Sequence, residues 1–197
     1  FEGSTAWSDL LNYARSHDLS QPEAWAYMQE HLDVPEVIDW LILECWSGDL
    51  DVYENVRFYA SPEYENGKYI YGLADMDLTM ITANTYLIGF DGYLLHGIIP
   101  SALLYNTEFN DMFLTRLGEM LRGPLSDENA QKTIDELRAI VEPESARDLA
   151  RWGQNPTLFE AQMRNIQRFI SGRGERMKND AITLFGLSAE DAEKYFG

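Results

Sequence analysis

Gly48-Asp49-Leu50-Asp51-Val52-Tyr53-Glu54-Asn55 runs straight into Val56-Arg57-Phe58-Tyr59-Ala60. After a turn over residues 62–67 come Lys68-Tyr69-Ile70-Tyr71-Gly72-Leu73 and Ala74-Asp75-Met76-Asp77-Leu78. The reading of the chain turns on this stretch. Val56, Phe58 and Ala60 alternate with Arg57 and Tyr59, the period-two pattern of a strand. Lys68 to Leu73 reads as a second strand, and the turn formers between them make the pair a β-hairpin. An antiparallel hairpin brings its two outer ends together. Asn55 and Asp75 are therefore expected within reach of one another, with Asp51 nearby and Asp49 and Asp77 in the same group.

Working outward, the period changes from 2 to 3.6. Ser4 or Thr5 is expected to cap a helix to about His17, with Trp7, Leu10, Leu11 and Ala14 on one face. Ser20, Pro22 and Glu23 open a second helix to about Leu32. Asp33 and Pro35 open a third to about Trp46, with Val37, Ile38, Leu41, Ile42 and Cys45 at spacings of three and four. Residues 79–100 read as irregular. Thr107 is expected to cap a helix to about Arg122, and Ser126 one that ends before Pro143. A short helix is expected over Glu144 to Trp152. Thr157 opens a long one to about Phe185, interrupted near Gly172 and Gly174, and Ser188 with Asp191 opens the last. The expected fold is mostly α with a small central β-hairpin, in one domain over residues 1–197.

The chain has 197 residues, of which 45% are hydrophobic, enough for a sizeable core. With 15 Lys and Arg against 33 Asp and Glu, the net charge is −18. That balance argues against phosphate-neutralising nucleic-acid binding and against attachment to an anionic membrane surface. No apolar run reaches the roughly 20 residues of a membrane helix. Cys45 is the single cysteine, so neither an internal disulfide nor a Cys-based zinc cluster can form. Residues 1–100 hold 17 acids and 3 bases, residues 101–197 hold 16 and 12. The excess reads either as a solvated acidic surface or as carboxylates converging on a hard cation.

Gly89, Gly92 and Gly97 fit neither phosphate-loop spacing, and His17, His31 and His96 form no metal-binding pair. His31 reads as a helix-end histidine. Trp7, Trp25, Trp40, Trp46 and Trp152 are expected in the core, the other reading being an exposed strip for carbohydrate. The acids and amide around the hairpin are the candidate site. Crowded carboxylates raise one another's pKa, and a divalent cation relieves that. Phosphoryl transfer asks for the same parts: one Asp to accept a hydroxyl proton, and an Asn and an Asp to hold metal on ATP phosphates. The other reading of these residues is as caps of turns and helix ends.

The residues also resemble the CotH kinase family of spore-coat-type atypical protein kinases. The resemblance lies in Asp33-Val34, Ile38-Asp39-Trp40-Leu41-Ile42, Gly48-Asp49-Leu50-Asp51 with Asn55, Gly67-Lys68-Tyr69-Ile70-Tyr71 and Asp75-Met76-Asp77-Leu78. It continues through Leu103 to Phe109, Phe113 to Arg116, Ile140 to Glu144 and Arg147 to Trp152, covering about residues 5–175. Where the family reads roughly Gly-Asn-x-Asp-Trp-Pro-x-Asn-Asn, this chain keeps Asp51 and Asn55. It departs at Asp49, Val52-Tyr53 and Val56.

The resemblance implies the C-terminal lobe of an atypical protein-kinase-like fold, with Asp51 as catalytic base. It implies that Asn55, Asp75 and Asp77 bind metal, with Asp49 in support. It implies ATP with Mg²⁺ or Mn²⁺, Ca²⁺ being the alternative, and a protein substrate with Ser/Thr acceptors. The expected location is extracellular, on a cell surface or in a spore coat. Phe1-Glu2-Gly3-Ser4 shows no initiator Met and no signal-peptide pattern and reads as the start of an excised domain. The resemblance implies an N-terminal lobe of strands with a phosphate-binding Lys. Because the first 50 residues read as helical with Arg15 as their one base, the chain is expected to lack that lobe and to be inactive alone. The alternative is a non-catalytic binding or scaffold module of a coat or carbohydrate-associated surface assembly.

Overall fold

The computed structural model describes residues 3–81 and 97–197. Ten helices are seen among them: α1 (Gly3–Ser16), α2 (Pro22–His31), α3 (Val34–Ser47), α4 (Val52–Asn55), α5 (Ile98–Leu103), α6 (Thr107–Arg122), α7 (Asp127–Arg151), α8 (Leu158–Ile170), α9 (Arg173–Phe185) and α10 (Ala189–Phe196). The strands β1 (Arg57–Tyr59) and β2 (Ile70–Gly72) pair antiparallel in the register Arg57↔Gly72, Phe58↔Tyr71, Tyr59↔Ile70. The expectation of a mostly helical chain with one small hairpin is met. The described residues fall into two compact units, 3–78 with 97–117, and 79–81 with 118–197; the division lies within α6.

In the first unit the core is built from the faces that the spacing picks out. Trp7, Leu10, Leu11 and Ala14 of α1, Trp25 and Met28 of α2, and Val37, Ile38, Leu41, Ile42 and Cys45 of α3 are all buried. Ile99 and Leu103 of α5 and Phe109, Phe113 and Leu117 of α6 are buried with them. Asp33 caps α3 by accepting the Glu36 N–H at 3.3 Å, and Gly48 ends it in the left-handed conformation at φ 63°.

Three ties hold the hairpin against these helices. Tyr69 N–H donates to the His31 carbonyl and Asp33 N–H to the Tyr69 carbonyl, both at 2.9 Å. Trp7 stacks on Phe58 of β1 at 3.8 Å between centroids. Trp40 lies 4.6 Å from the Tyr71 ring. Arg116 of α6 grips Asp39 of α3 with two hydrogen bonds, 2.6 and 2.7 Å long.

In the second unit, Met120 of α6, Met163, Phe169 and Ile170 of α8, and Met177 and Ala181 of α9 are buried. Gly172, at φ 69°, separates α8 from α9, the break expected there. The Gly172 N–H donates to the Asp127 carboxylate at 2.6 Å. Ser126 caps α7 and Ser188 caps α10, as expected.

Several expectations are corrected. Helix α7 runs unbroken through Pro143. The proline removes one N–H from the ladder, but strong helix formers on both sides and packing along α8 carry the helix past it. Trp152 is 66% exposed, because it sits at the C-cap of α7 with the Arg151 guanidinium 5.3 Å over its ring. The other four tryptophans are buried. Asn106, rather than Thr107, caps α6, its Oδ1 accepting the Phe109 N–H at 2.9 Å. Ser20 and Thr157 make no capping hydrogen bond at α2 and α8. Part of the segment expected to be irregular is α5; His96, Gly89 and Gly92 lie outside the described residues.

Candidate active site

The loop after α3 carries the candidate site, and α3 itself supplies its floor. Leu41, Ile42 and Cys45 bury the apolar face of that helix, and Glu44 goes inside with them, 4% exposed. Gly48 turns the chain back, which buries Asp49 at 2% exposed beside Glu44. The Asp51 N–H donates to Asp49 Oδ1 at 3.4 Å. One turn on, in α4, Asn55 Nδ2 donates to Asp51 Oδ2 at 2.8 Å. Glu44, Asp49, Asp51 and Asn55 thus form a line from the core to the rim.

Burial decides their protonation. Loss of water around Glu44, reinforced by the negative charge of Asp49, pushes its carboxyl up to about 8, with a partial offset from Trp40. Asp49 is pushed up to about 6, first by burial and then by the neighbouring Asp51 carboxylate, while the Asp51 N–H pulls the other way. At neutral pH Glu44 is protonated. Glu44 Oε2, Asp49 Oδ2 and Asp51 Oδ1 are buried and have no hydrogen-bond partner. Orphaned carboxylate oxygens are costly, and they mark a place where a further partner fits.

The hairpin brings the second half of the group back towards the first. Asn55, the last residue of α4, lies two residues before β1, and Asp75 lies three residues after β2, at the same end of the hairpin. Asp75 has φ 54°, turning the chain into a short 3₁₀ turn over Met76–Leu78. The Leu78 carbonyl then accepts the Leu50 N–H at 3.3 Å. So the backbone after the hairpin is tied to the loop that carries Asp49 and Asp51. The Asp75 and Asp77 side chains are exposed and have no hydrogen-bond or ion-pair partner among the described residues.

Sequence reasoning missed Glu44. Its signal was there: a single acid inside Trp40-Leu41-Ile42-Leu43-Glu44-Cys45-Trp46, an otherwise apolar run on the buried helix.

Among the described residues, no group of three or more His, Cys, Asp or Glu is arranged to hold a metal ion. Mg²⁺ does not need such a cage, since in phosphoryl-transfer sites it keeps water and phosphate oxygens and takes one or two carboxylates. Asp49 Oδ2 and Asp51 Oδ1 are buried, so among these acids the exposed Asp75 and Asp77 are the ones a hydrated cation could reach.

A half-buried carboxylate with an amide at its side, backed by buried acids, defines a candidate acid–base site on a helical scaffold. The profile of the CotH kinase protein family matches residues 2–177. The chain therefore belongs to the CotH kinase protein family. A comparison with curated proteins finds no match. A comparison with solved structures finds none either.

Proposed function

We propose that this chain carries the acid–base residues of a CotH-type phosphotransferase, which moves the γ-phosphate of ATP to a Ser or Thr hydroxyl of a protein. The observation that carries this reading is the state of Asp51. One of its oxygens is held by Asn55, and the other is buried and free of any partner. A carboxylate fixed at one oxygen presents the other in a set direction. The Asp51 carboxylate would accept the proton of the acceptor hydroxyl as its oxygen attacks phosphorus. Asn55 would keep Asp51 in place and, through its carbonyl oxygen, share a cation with Asp75, Asp77 or Asp49. Bound Mg²⁺ or Mn²⁺ would neutralise charge on the transferred group. Ca²⁺ suits the same oxygen donors with looser geometry.

Residues 1–117 hold four bases, Arg15, Arg57, Lys68 and Arg116, and Arg116 is already paired with Asp39. Few cations are therefore at hand to ground the α- and β-phosphates, so ATP binds weakly and this chain alone turns over little. Where the natural gene extends upstream of Phe1, the longer protein transfers phosphate and Asp51→Ala abolishes the transfer. Robust Asp51-dependent phosphorylation by residues 1–197 alone would overturn the low-turnover part. Transfer by the longer Asp51→Ala variant at the wild-type rate would overturn the role of Asp51.

The second reading is a non-catalytic scaffold module of a spore coat or cell-surface assembly. The exposure of Asp75 and Asp77 without partners favours it. Family membership supports a spore-coat setting for both readings. No helix among the described residues is long and apolar enough to cross a membrane.

A further inference from the structure

Helix α7 is 25 residues long, yet Ala130 is its one buried residue. Its Leu137, Ile140 and Val141 are 56%, 72% and 51% exposed, and Trp152 just beyond its end is 66% exposed. Positions 137, 140, 141, 144, 148 and 151 follow the helical spacing of three and four and share one face. Between this face and α8 runs an open groove of about 610 Å³, floored by Leu149, Leu158 and Phe159. Apolar residues so placed in water do not support a long helix that carries a proline at 143; a face of this kind is stabilised by something packed against it.

We propose that this face is a two-fold interface between two copies of the chain, with α7 crossing its counterpart near Ile140 and Val141. Area is the first argument. The four exposed side chains present roughly 450 Å² of apolar surface, and a stable interface of about 800 Å² per partner is roughly 60% apolar, close to the same figure. Charge is the second. Residues 1–117 hold 19 acids against 4 bases, so two copies repel through that part. Residues 118–197 hold 14 acids against 11 bases, and the groove rim is neutral, with Glu144, Arg147, Asp148 and Arg151 alternating in sign. An alternating rim faces its own copy with acids against bases, which a uniformly acidic surface cannot do. Shape is the third. The exposed ridge of Ile140 and Val141 forms one edge of the groove, so a two-fold contact can seat each copy's ridge in the other's groove, as an isologous contact requires.

The test is sedimentation equilibrium of the intact chain from micromolar to submillimolar concentration at physiological salt. The expected result is a reversible dimer of twice 22.6 kDa. Ile140→Glu and Trp152→Ala, both at exposed positions that leave the fold and its circular dichroism unchanged, each raise the dissociation constant by about thirtyfold or more. Tyr105→Ala, at a residue 77% exposed outside the patch, leaves it unchanged. A chain that stays monomeric over the whole range overturns the proposal. So does a dimer that survives both Ile140→Glu and Trp152→Ala, since its contact then lies elsewhere.

Discussion

Replacing Glu44 by Gln tests the buried acid directly, and its sign follows from the structure. An unfolded Glu titrates near 4.5, while the folded Glu44 holds its proton up to about 8. The folded chain binds this proton more tightly than the unfolded chain, so stability is lost as pH rises from about 4.5 towards about 8. At about 1.4 kcal/mol per tenfold step, the full loss above pH 8 is about 5 kcal/mol, and at pH 7 about 3 kcal/mol. Solvent relaxation and the shared position of Asp49 reduce these figures, so about 2–3 kcal/mol at pH 7 is the working value. Gln keeps the shape and the hydrogen-bonding capacity and removes the titration. Glu44→Gln is therefore neutral near pH 5, stabilising by about 2–3 kcal/mol at pH 7, and more so at pH 8.5. The assay is urea unfolding followed by tryptophan fluorescence at half-unit steps from pH 5 to 9, in chelator, with the buried Trp40 and Trp46 on the same helix as reporters. If the variant keeps the wild-type pH slope, or is less stable than wild type at pH 8, the burial argument for Glu44 fails.

Three further outcomes are expected. Millimolar Mg²⁺ or Mn²⁺ raises the melting temperature of the chain, because it binds the folded state alone, and Asp75→Ala with Asp77→Ala removes the rise; the absence of any wild-type shift in calorimetry would leave the acids as surface charge. Asn106→Ala costs about 2–4 kcal/mol in chemical denaturation, since buried Asn106 caps α6 and donates to the Leu19 carbonyl at 2.8 Å; a loss under 1 kcal/mol contradicts this. Gly118→Ala drives a Cβ into the Tyr195 carbonyl oxygen, where Arg122 also donates at 2.8 Å. Helix α10 is then displaced, and hydrogen exchange over Ala189–Phe196 rises; unchanged protection refutes the close approach.

What the sequence disclosed follows from how local each signal is. The faces of α1 and α3 and the two strands were legible because apolar residues recur at the period of the element that buries them. Asp33, Ser126 and Ser188 were legible as caps because the bond spans three residues. Caps set by tertiary contact were not: Asn106 wins over Thr107 because its amide also reaches Leu19, 87 residues away. Pro143 misled because a local rule about one missing N–H is outweighed by helix formers on both sides. Trp152 misled because indole size argues for burial while its place at a helix end leaves it in water. For the site, hairpin topology pointed to the segment after β2 returning to the loop after α3, and the Leu50–Leu78 bond ties those two stretches. The topology did not show that Asp51 is held by Asn55, that Asp75 and Asp77 face solvent, or that Glu44 is the acid beneath Asp49. Those depend on side-chain direction and on what each carboxylate meets after the turn at Gly48.

The placement of these acids also decides what can approach them. A polyanionic triphosphate coming to residues 1–100 meets 17 acids and 3 bases. Within the roughly 8 Å over which physiological salt leaves charges visible to one another, Asp49, Asp51 and their neighbours repel it. On the proposed reading the same cluster would attract a divalent cation. A cation held there would reverse the sign of the field that a nucleotide meets. On the proposed reading, dependence on a metal would follow from the charge of residues 1–100, where 17 acids outnumber 3 bases and oppose an anion that comes without a cation.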